Sequence, residues 1–98
     1  MSIDNGSIIM YSSALCGYCA AAKRLLKSKG LAFTEIDVLF HPARRKQMME
    51  LGQRRTVPQI WVGETHIGGY DDLRALDASG KFDALIESID TTQSISRE

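Results

Sequence analysis

The stretch SIIMYSSALCGYC, Ser7 to Cys19, decides the fold. Ser7 to Tyr11 is a short apolar run of strand type, and Ser12 to Leu15 reads as a loop. The following residues, Ala20 to Lys29, are rich in Ala, Lys and Leu and favour helix. Gly30 is placed to end that helix as its C-cap. Working outward, Ala32, Thr34, Ile36 and Val38 alternate with Phe33, Glu35 and Asp37, the period-two pattern of a second strand. A strand-helix-strand unit of this kind makes its two strands parallel neighbours.

Pro42 stands where a first-turn proline belongs, and Arg44 to Leu51 continue the helix, with Met48 and Leu51 on one face and Gly52 as the stop. Val57 to Val62 and Thr65 to Gly68 are β-rich runs separated by Gly63-Glu64, which is a hairpin signal. Asp71 or Asp72 can cap a last helix carrying Leu73 and Leu76. Gly80 interrupts it, and Phe82, Leu85, Ile86 and Ile89 repeat at helical spacing beyond. The order βαβαββα predicts a four-stranded mixed sheet with helices on both faces.

A chain of 98 residues allows one small domain, expected over residues 1–90, with the polar stretch 91–98 as a poorly ordered tail. Its 44% hydrophobic and 24% charged residues are those of an ordinary globular protein rather than a disordered one. Twelve basic and twelve acidic residues cancel to a formal charge of +0, which argues against nucleic acid or anionic membrane as partner. Met1 to Gly6 carries no Arg or Lys, and Ile8 to Tyr11 is far too short to span a bilayer, so a cytoplasmic location is expected. The 2 cysteines sit together as Cys16 and Cys19, unlike the spread cysteines of a secreted disulfide scaffold.

If Cys16 is the N-cap and Gly17 the first helical residue, the sulfur of Cys16 faces the positive end of the helix, which favours a thiolate. Cys19 lies one turn on, beside it, with its amide and sulfur directed toward the helix body and core. Cys16 is then the attacking and Cys19 the resolving thiol; two buried small residues or a static disulfide form the plainer alternative. Zinc is the other chemistry to weigh, because Cys16, Cys19, His41 and His66 nominally supply four ligands. The two histidines are too far apart for the paired spacing of a zinc finger. His41 reads more simply as a residue preceding the second helix, and His66 as part of a hairpin strand.

Cys16-Gly-Tyr-Cys19, Thr56-Val57-Pro58 and Gly68-Gly69-Tyr70-Asp71-Asp72, in this order and on these elements, resemble the glutaredoxin family, specifically its small dithiol bacterial type. The resemblance runs from about Ser7 to Ile89. It implies a thioredoxin-like fold, glutathione as reductant, and catalysis by Cys16 and Cys19. Pro58 resembles the family's cis-proline, which exposes the backbone of Val57 to the cysteinyl unit of glutathione. Read alone, Pro58 is more simply an ordinary trans residue opening a strand, and it is Thr56 and the C-x-x-C that reverse the preference. The same resemblance places Thr56, Gly69, Tyr70, Asp71 and Asp72 around the tripeptide. The helix start there takes its γ-glutamyl carboxylate, and an Asp takes its ammonium group. Tyr18 looks like the aromatic flanking the glutathione sulfur, and Arg45, next to Arg44, like the contact to the glycyl carboxylate.

Two positions depart from the family pattern. Ser13 stands where many members carry Lys, so a weaker electrostatic push on the thiol is expected. Gly17 stands where Pro is common, a change that in the family accompanies sharing of a 2Fe-2S cluster between two protomers and two glutathiones. The sequence therefore carries two function classes. One is a glutathione-dependent oxidoreductase, monomeric, acting on glutathionylated or disulfide-containing proteins. The other is a dimeric carrier of a 2Fe-2S cluster with Cys16 as ligand. A third, a redoxin reduced directly by a flavoprotein reductase, would have no use for Asp71-Asp72.

Overall fold

In the computed structural model, which describes residues 8–88, strand β1 runs from Ile8 to Ser12 and helix α1 from Gly17 to Ser28. They are followed by β2 (Thr34–Asp37), α2 (Pro42–Gly52), β3 (Gln59–Val62), β4 (Thr65–Gly68) and α3 (Tyr70–Ala78). Residues 81–88 form a further helix, α4. The strands make one sheet in the order β2-β1-β3-β4, with β1 parallel to β2 and the β1-β3 and β3-β4 pairs antiparallel. The expected mixed sheet with a division of the last helix at Gly80 is therefore present. Ile89 and the proposed tail 91–98 lie outside the described residues, as do residues 1–7.

Strand alternation sorts the core onto the two faces. Ile8, Met10, Ile60 and Val62 point to one side, where Ala22 and Leu26 of α1, Leu73 of α3 and Phe82 of α4 cover them. Ile9, Tyr11 and Trp61 point to the other, against Met48 of α2 and Val38. No described helix is long and apolar enough to cross a membrane.

Several boundaries differ from the sequence reading, each for an identifiable reason. Ser12 belongs to the strand and not to the loop: its carbonyl accepts from Val38 N–H at 2.9 Å and its hydroxyl donates to Glu35 at 2.6 Å. With both polar groups matched, a buried serine costs the ladder little. The second strand is shorter than the expected Ala32 to Val38: Phe33 packs on one core cluster and Val38 lies buried in the other, both beyond the ends of Thr34–Asp37. Helix α1 ends at Ser28 with Lys29 as C-cap, and Gly30 follows at φ 71°, where Leu31 N–H reaches back to Leu26 O at 3.1 Å. That is the left-handed exit expected of a glycine after a helix.

Gly52 does not end α2 by conformation; Gln53 does so, at φ 60°. Gly52 is needed for space, since a Cβ there would collide with Oε1 of Gln59 and stand 3.1 Å from Cε1 of His66. Leu51 is exposed, leaving Met48 as the residue of that pair in the core. Strand β3 starts only at Gln59, after Val57-Pro58. Helix α3 is capped by Gly69 rather than by Asp71 or Asp72, and Asp72 serves from inside the first turn.

Candidate active site

The sheet order places four chain segments along one edge. The carboxyl ends of parallel β1 and β2 lie there, as does the start of antiparallel β3 and the end of β4. Cys16 follows β1, Val57-Pro58 precede β3, and Gly69 follows β4, so segments far apart in sequence meet around one sulfur.

Cys16 is the N-cap of α1, with extended backbone (φ −107°, ψ 118°), and it is half-buried. Its Sγ accepts from the Cys19 N–H at 3.2 Å and its thiol hydrogen faces Val57 O at 3.6 Å. The Cys19 amide thus points at the Cys16 sulfur, not into the helix body as the sequence suggested. A helix N-terminus leaves its first amides without partners in the helix, and the Cys16 sulfur takes one of them. Cys19 itself is 1% exposed. Its thiol is pushed up to about 12, first by burial and then by its hydrogen bond to Cys16. Both cysteines are free thiols.

Beside Cys16 opens a cleft of about 330 Å³ lined by Tyr18, Arg54, Thr56, Val57, Pro58 and the run from Gly69 to Asp72. That volume suits a small-molecule ligand. The Val57-Pro58 peptide is cis. The Tyr18 and Tyr70 rings stack 6.2 Å apart across the cleft. At the far end Asp72 accepts from Gly69 N–H at 3.0 Å and from Arg54 at 3.1 Å. The Gly69 bond, with Arg54 second, holds the Asp72 carboxyl below its ordinary range. Gly68, at φ 115°, lets the Asp72 carboxylate approach its backbone where a Cβ would clash.

The structure brings together Cys16, Tyr18, Thr56, Val57, Pro58, Gly69, Tyr70, Asp71 and Asp72, with Cys19 directly beneath. Arg45 is not among the cleft-lining residues; it donates to Arg55 O at 3.2 Å and holds the back of the loop. The basic residue of the cleft is Arg54, which the sequence reading passed over although it stands two residues before Thr56. Gln59 was missed as well. Fully buried, it donates to Arg54 O at 3.0 Å and Thr56 O at 2.9 Å, fixing the loop that carries the cleft wall. Its signal was a polar residue just after Pro58 at the head of an apolar strand.

Neither histidine lines this cleft. His41 Nδ1 lies 3.0 Å from Asp37 O, and His66 stacks on Trp61 at 4.3 Å. Burial and the nearby Arg54 keep His66 below its usual pKa. Among the described residues no three metal-ligating side chains gather.

Comparison with known proteins decides the assignment, because residues 8–67 match the family model described as Glutaredoxin. The chain belongs to the glutaredoxin family. A glutaredoxin of Pseudomonas aeruginosa is 47% identical over 83% of this chain and 96% of its own length. Glutaredoxin 3 of Escherichia coli K12 is 44% identical, covering 83% of this chain and 98% of that one. Among solved structures, a glutaredoxin from Brucella melitensis has TM-score 0.72 at 46% identity, covering 84% of this chain and 89% of its own. A buckwheat glutaredoxin-glutathione complex has TM-score 0.79 at 25% identity, over 90% and 84%. The fold is thioredoxin-like, and the protein is a glutathione-dependent thiol-disulfide oxidoreductase.

Proposed function

We propose that this glutaredoxin removes glutathione from glutathionylated proteins and reduces protein disulfides, with Cys16 as nucleophile and Cys19 as resolving thiol. The observation that carries the reading is the asymmetry of the two sulfurs. One is half-exposed at the mouth of a peptide-sized cleft, and the other is sealed beneath it with its proton held up to about 12.

Glutathione fits the cleft by chemistry. Its cysteinyl backbone pairs with Val57, and its γ-glutamyl carboxylate takes the amides at the start of α3. Oδ2 of Asp72 is already committed to Gly69 and Arg54, so the exposed Asp71 carboxylate is the one offered to the ammonium group. The Cys16 thiolate attacks the glutathionyl sulfur, a Cys16-glutathione disulfide forms, and the protein thiolate leaves and takes a proton from water. A second glutathione thiolate then attacks the glutathionyl sulfur, releasing glutathione disulfide and restoring the Cys16 thiolate. With a protein disulfide, Cys16 forms a mixed disulfide with the protein, and Cys19 attacks Cys16 to free the second protein thiol, leaving a Cys16-Cys19 disulfide that two glutathione molecules reduce with release of glutathione disulfide. The hydrogen bond and charge of Cys16 are among the causes that hold the Cys19 proton. Once Cys16 is bound in a disulfide that charge is gone and Cys19 ionises more readily.

Turnover of a glutathionylated substrate by single-cysteine variants tests this. Cys16→Ser should lose both reactions, and Cys19→Ser should keep deglutathionylation while losing disulfide reduction. Unchanged turnover in Cys16→Ser would falsify the assignment.

A second reading, a 2Fe-2S carrier, draws on Gly17, where an added Cβ would meet nothing within 4 Å and the backbone beside Cys16 is open to approach. Each of two chains would offer the Cys16 thiolate, with glutathione thiolates completing the ligand set and the cluster supplying electron storage. Anaerobic reconstitution with glutathione tests it: a coloured dimer supports this reading, and a colourless monomer removes it.

A further inference from the structure

Among the described residues five large hydrophobic side chains are exposed: Leu15 (85%), Tyr18 (65%), Leu39 (40%), Phe40 (75%) and Leu51 (60%). Single exposed apolar residues need no explanation, but clustered ones mark interaction surfaces. Four of these five stand in or next to two segments, the one joining β1 to α1 and the one joining β2 to α2. Those strands are parallel neighbours, in register from Ile9↔Thr34 to Ser12↔Asp37, so both segments leave the same edge of the sheet. Val38 N–H bonds to Ser12 O at 2.9 Å, which ties their roots together.

The order β2-β1-β3-β4 then gives a sequence of sites along that edge. Leu39-Phe40 come first, Cys16 next, then Val57-Pro58, and finally Gly69 to Asp72. Neighbouring strands lie about 4.8 Å apart. The glutathione cleft occupies the β3 and β4 side of Cys16, and none of Leu15, Leu39 and Phe40 lines it. The β2 side is therefore a separate, apolar flank of the same sulfur. Its outer loop is held in place: Asp37 Oδ1 accepts from Leu39 N–H at 2.7 Å, and the His41 ring is anchored on Asp37 O at 3.0 Å.

We propose that Leu15, Leu39 and Phe40 form the docking surface for the protein half of the substrate, selecting protein cysteines flanked by apolar side chains. This rests on the deglutathionylation reading above. A cleft of about 330 Å³ has room for a small ligand and not for a protein chain as well. The polypeptide around the modified cysteine lies outside that cleft, and the exposed Leu15, Leu39 and Phe40 are the apolar surface offered to it at the same end of the sheet. A pre-ordered loop adds to affinity, because less freedom is lost on binding.

The experiment compares glutathionylated cysteine with two short glutathionylated peptides, the cysteine flanked by Leu and Phe in one and by Ser and Gly in the other. The wild type should prefer the apolar peptide by about tenfold in kcat/KM, equivalent to about 1.4 kcal/mol. The double variant Leu39→Ser/Phe40→Ser should lose that preference while keeping its rate on glutathionylated cysteine, and Phe40→Leu should retain it. An equal loss on all three substrates, or no preference in the wild type, overturns the proposal. So does a wild-type dimer that the double variant dissociates without any change in preference, since the flank would then be a contact between copies. Binding of the same peptides in reduced form reads the surface without turnover. Discrimination in binding with no activity sinks the reaction, whereas activity without discrimination sinks the surface.

Discussion

Replacing Gly52 by alanine tests whether the wall of the cleft is set from behind. The added Cβ would collide with Gln59 Oε1 and stand 3.2 Å from Gln59 Cδ and 3.1 Å from His66 Cε1. The Gln59 carboxamide must move, and its two donations, to Arg54 O at 3.0 Å and Thr56 O at 2.9 Å, are both at risk. Each such hydrogen bond contributes about 1 kcal/mol net, so losing the two costs about 2 kcal/mol. Crowding in a packed interior adds about 1–3 kcal/mol. Against this, alanine in place of glycine in a helix recovers up to about 1 kcal/mol. A net loss of roughly 2–5 kcal/mol follows, and at the lower end it should depress Tm by about 8–16 °C in a domain of this size. Because the displaced carbonyls belong to the segment bearing Arg54 and Thr56, KM for a glutathionylated substrate should rise in the same variant. Gly17→Ala is the control: nothing lies within 4 Å of the added carbon, so Tm should be unchanged or slightly higher. The measurements are thermal unfolding and steady-state kinetics on the three proteins. Wild-type Tm and KM in Gly52→Ala would refute the reasoning.

Two further outcomes follow from the same geometry. Iodoacetamide at neutral pH should modify Cys16 alone, because the Cys19 thiol is buried and held up to about 12; mass spectrometry of peptides that finds Cys19 labelled at a comparable rate contradicts this. Asp72→Ala should destabilise the fold by about 0.5–1 kcal/mol at neutral pH, through loss of the bond to Gly69 N–H at the head of α3. The folded-state carboxyl of Asp72 sits below its ordinary value of 3.8, so its contribution is present above that value and fades as pH falls through the folded pKa. The gap between wild type and variant in urea unfolding should therefore close in acid, and a gap independent of pH would oppose the reading.

Much of the fold was legible because its signals are local. The apolar run before Cys16, the alternation from Ala32 to Val38 and the Gly63-Glu64 turn each report on neighbours in sequence, where periodicity and turn chemistry act. The boundaries that slipped were settled by distant partners. Ser12 stays in its strand because Glu35 and Val38 satisfy it, and Gly52 is a glycine because Gln59 lies against it. In the site, the motif residues around Cys16, Pro58 and Asp72 carried recognisable patterns. Arg54 carried none that separates a cleft residue from an ordinary surface position, and Gln59 only the oddity of a polar side chain opening an apolar strand.

The sequence by itself determined the order of elements, the placing of Cys16 at a helix start, and the pairing of an outer with an inner thiol, since adjacent residues and helical geometry suffice for these. Only the tertiary structure decided which arginine lines the cleft, what holds the loop behind it, and that Leu39 and Phe40 stand exposed at the same end of the sheet as Cys16. Those outcomes depend on strand pairing across the sheet, which joins Cys16 to a carbonyl 41 residues away, and no local pattern encodes a contact of that range.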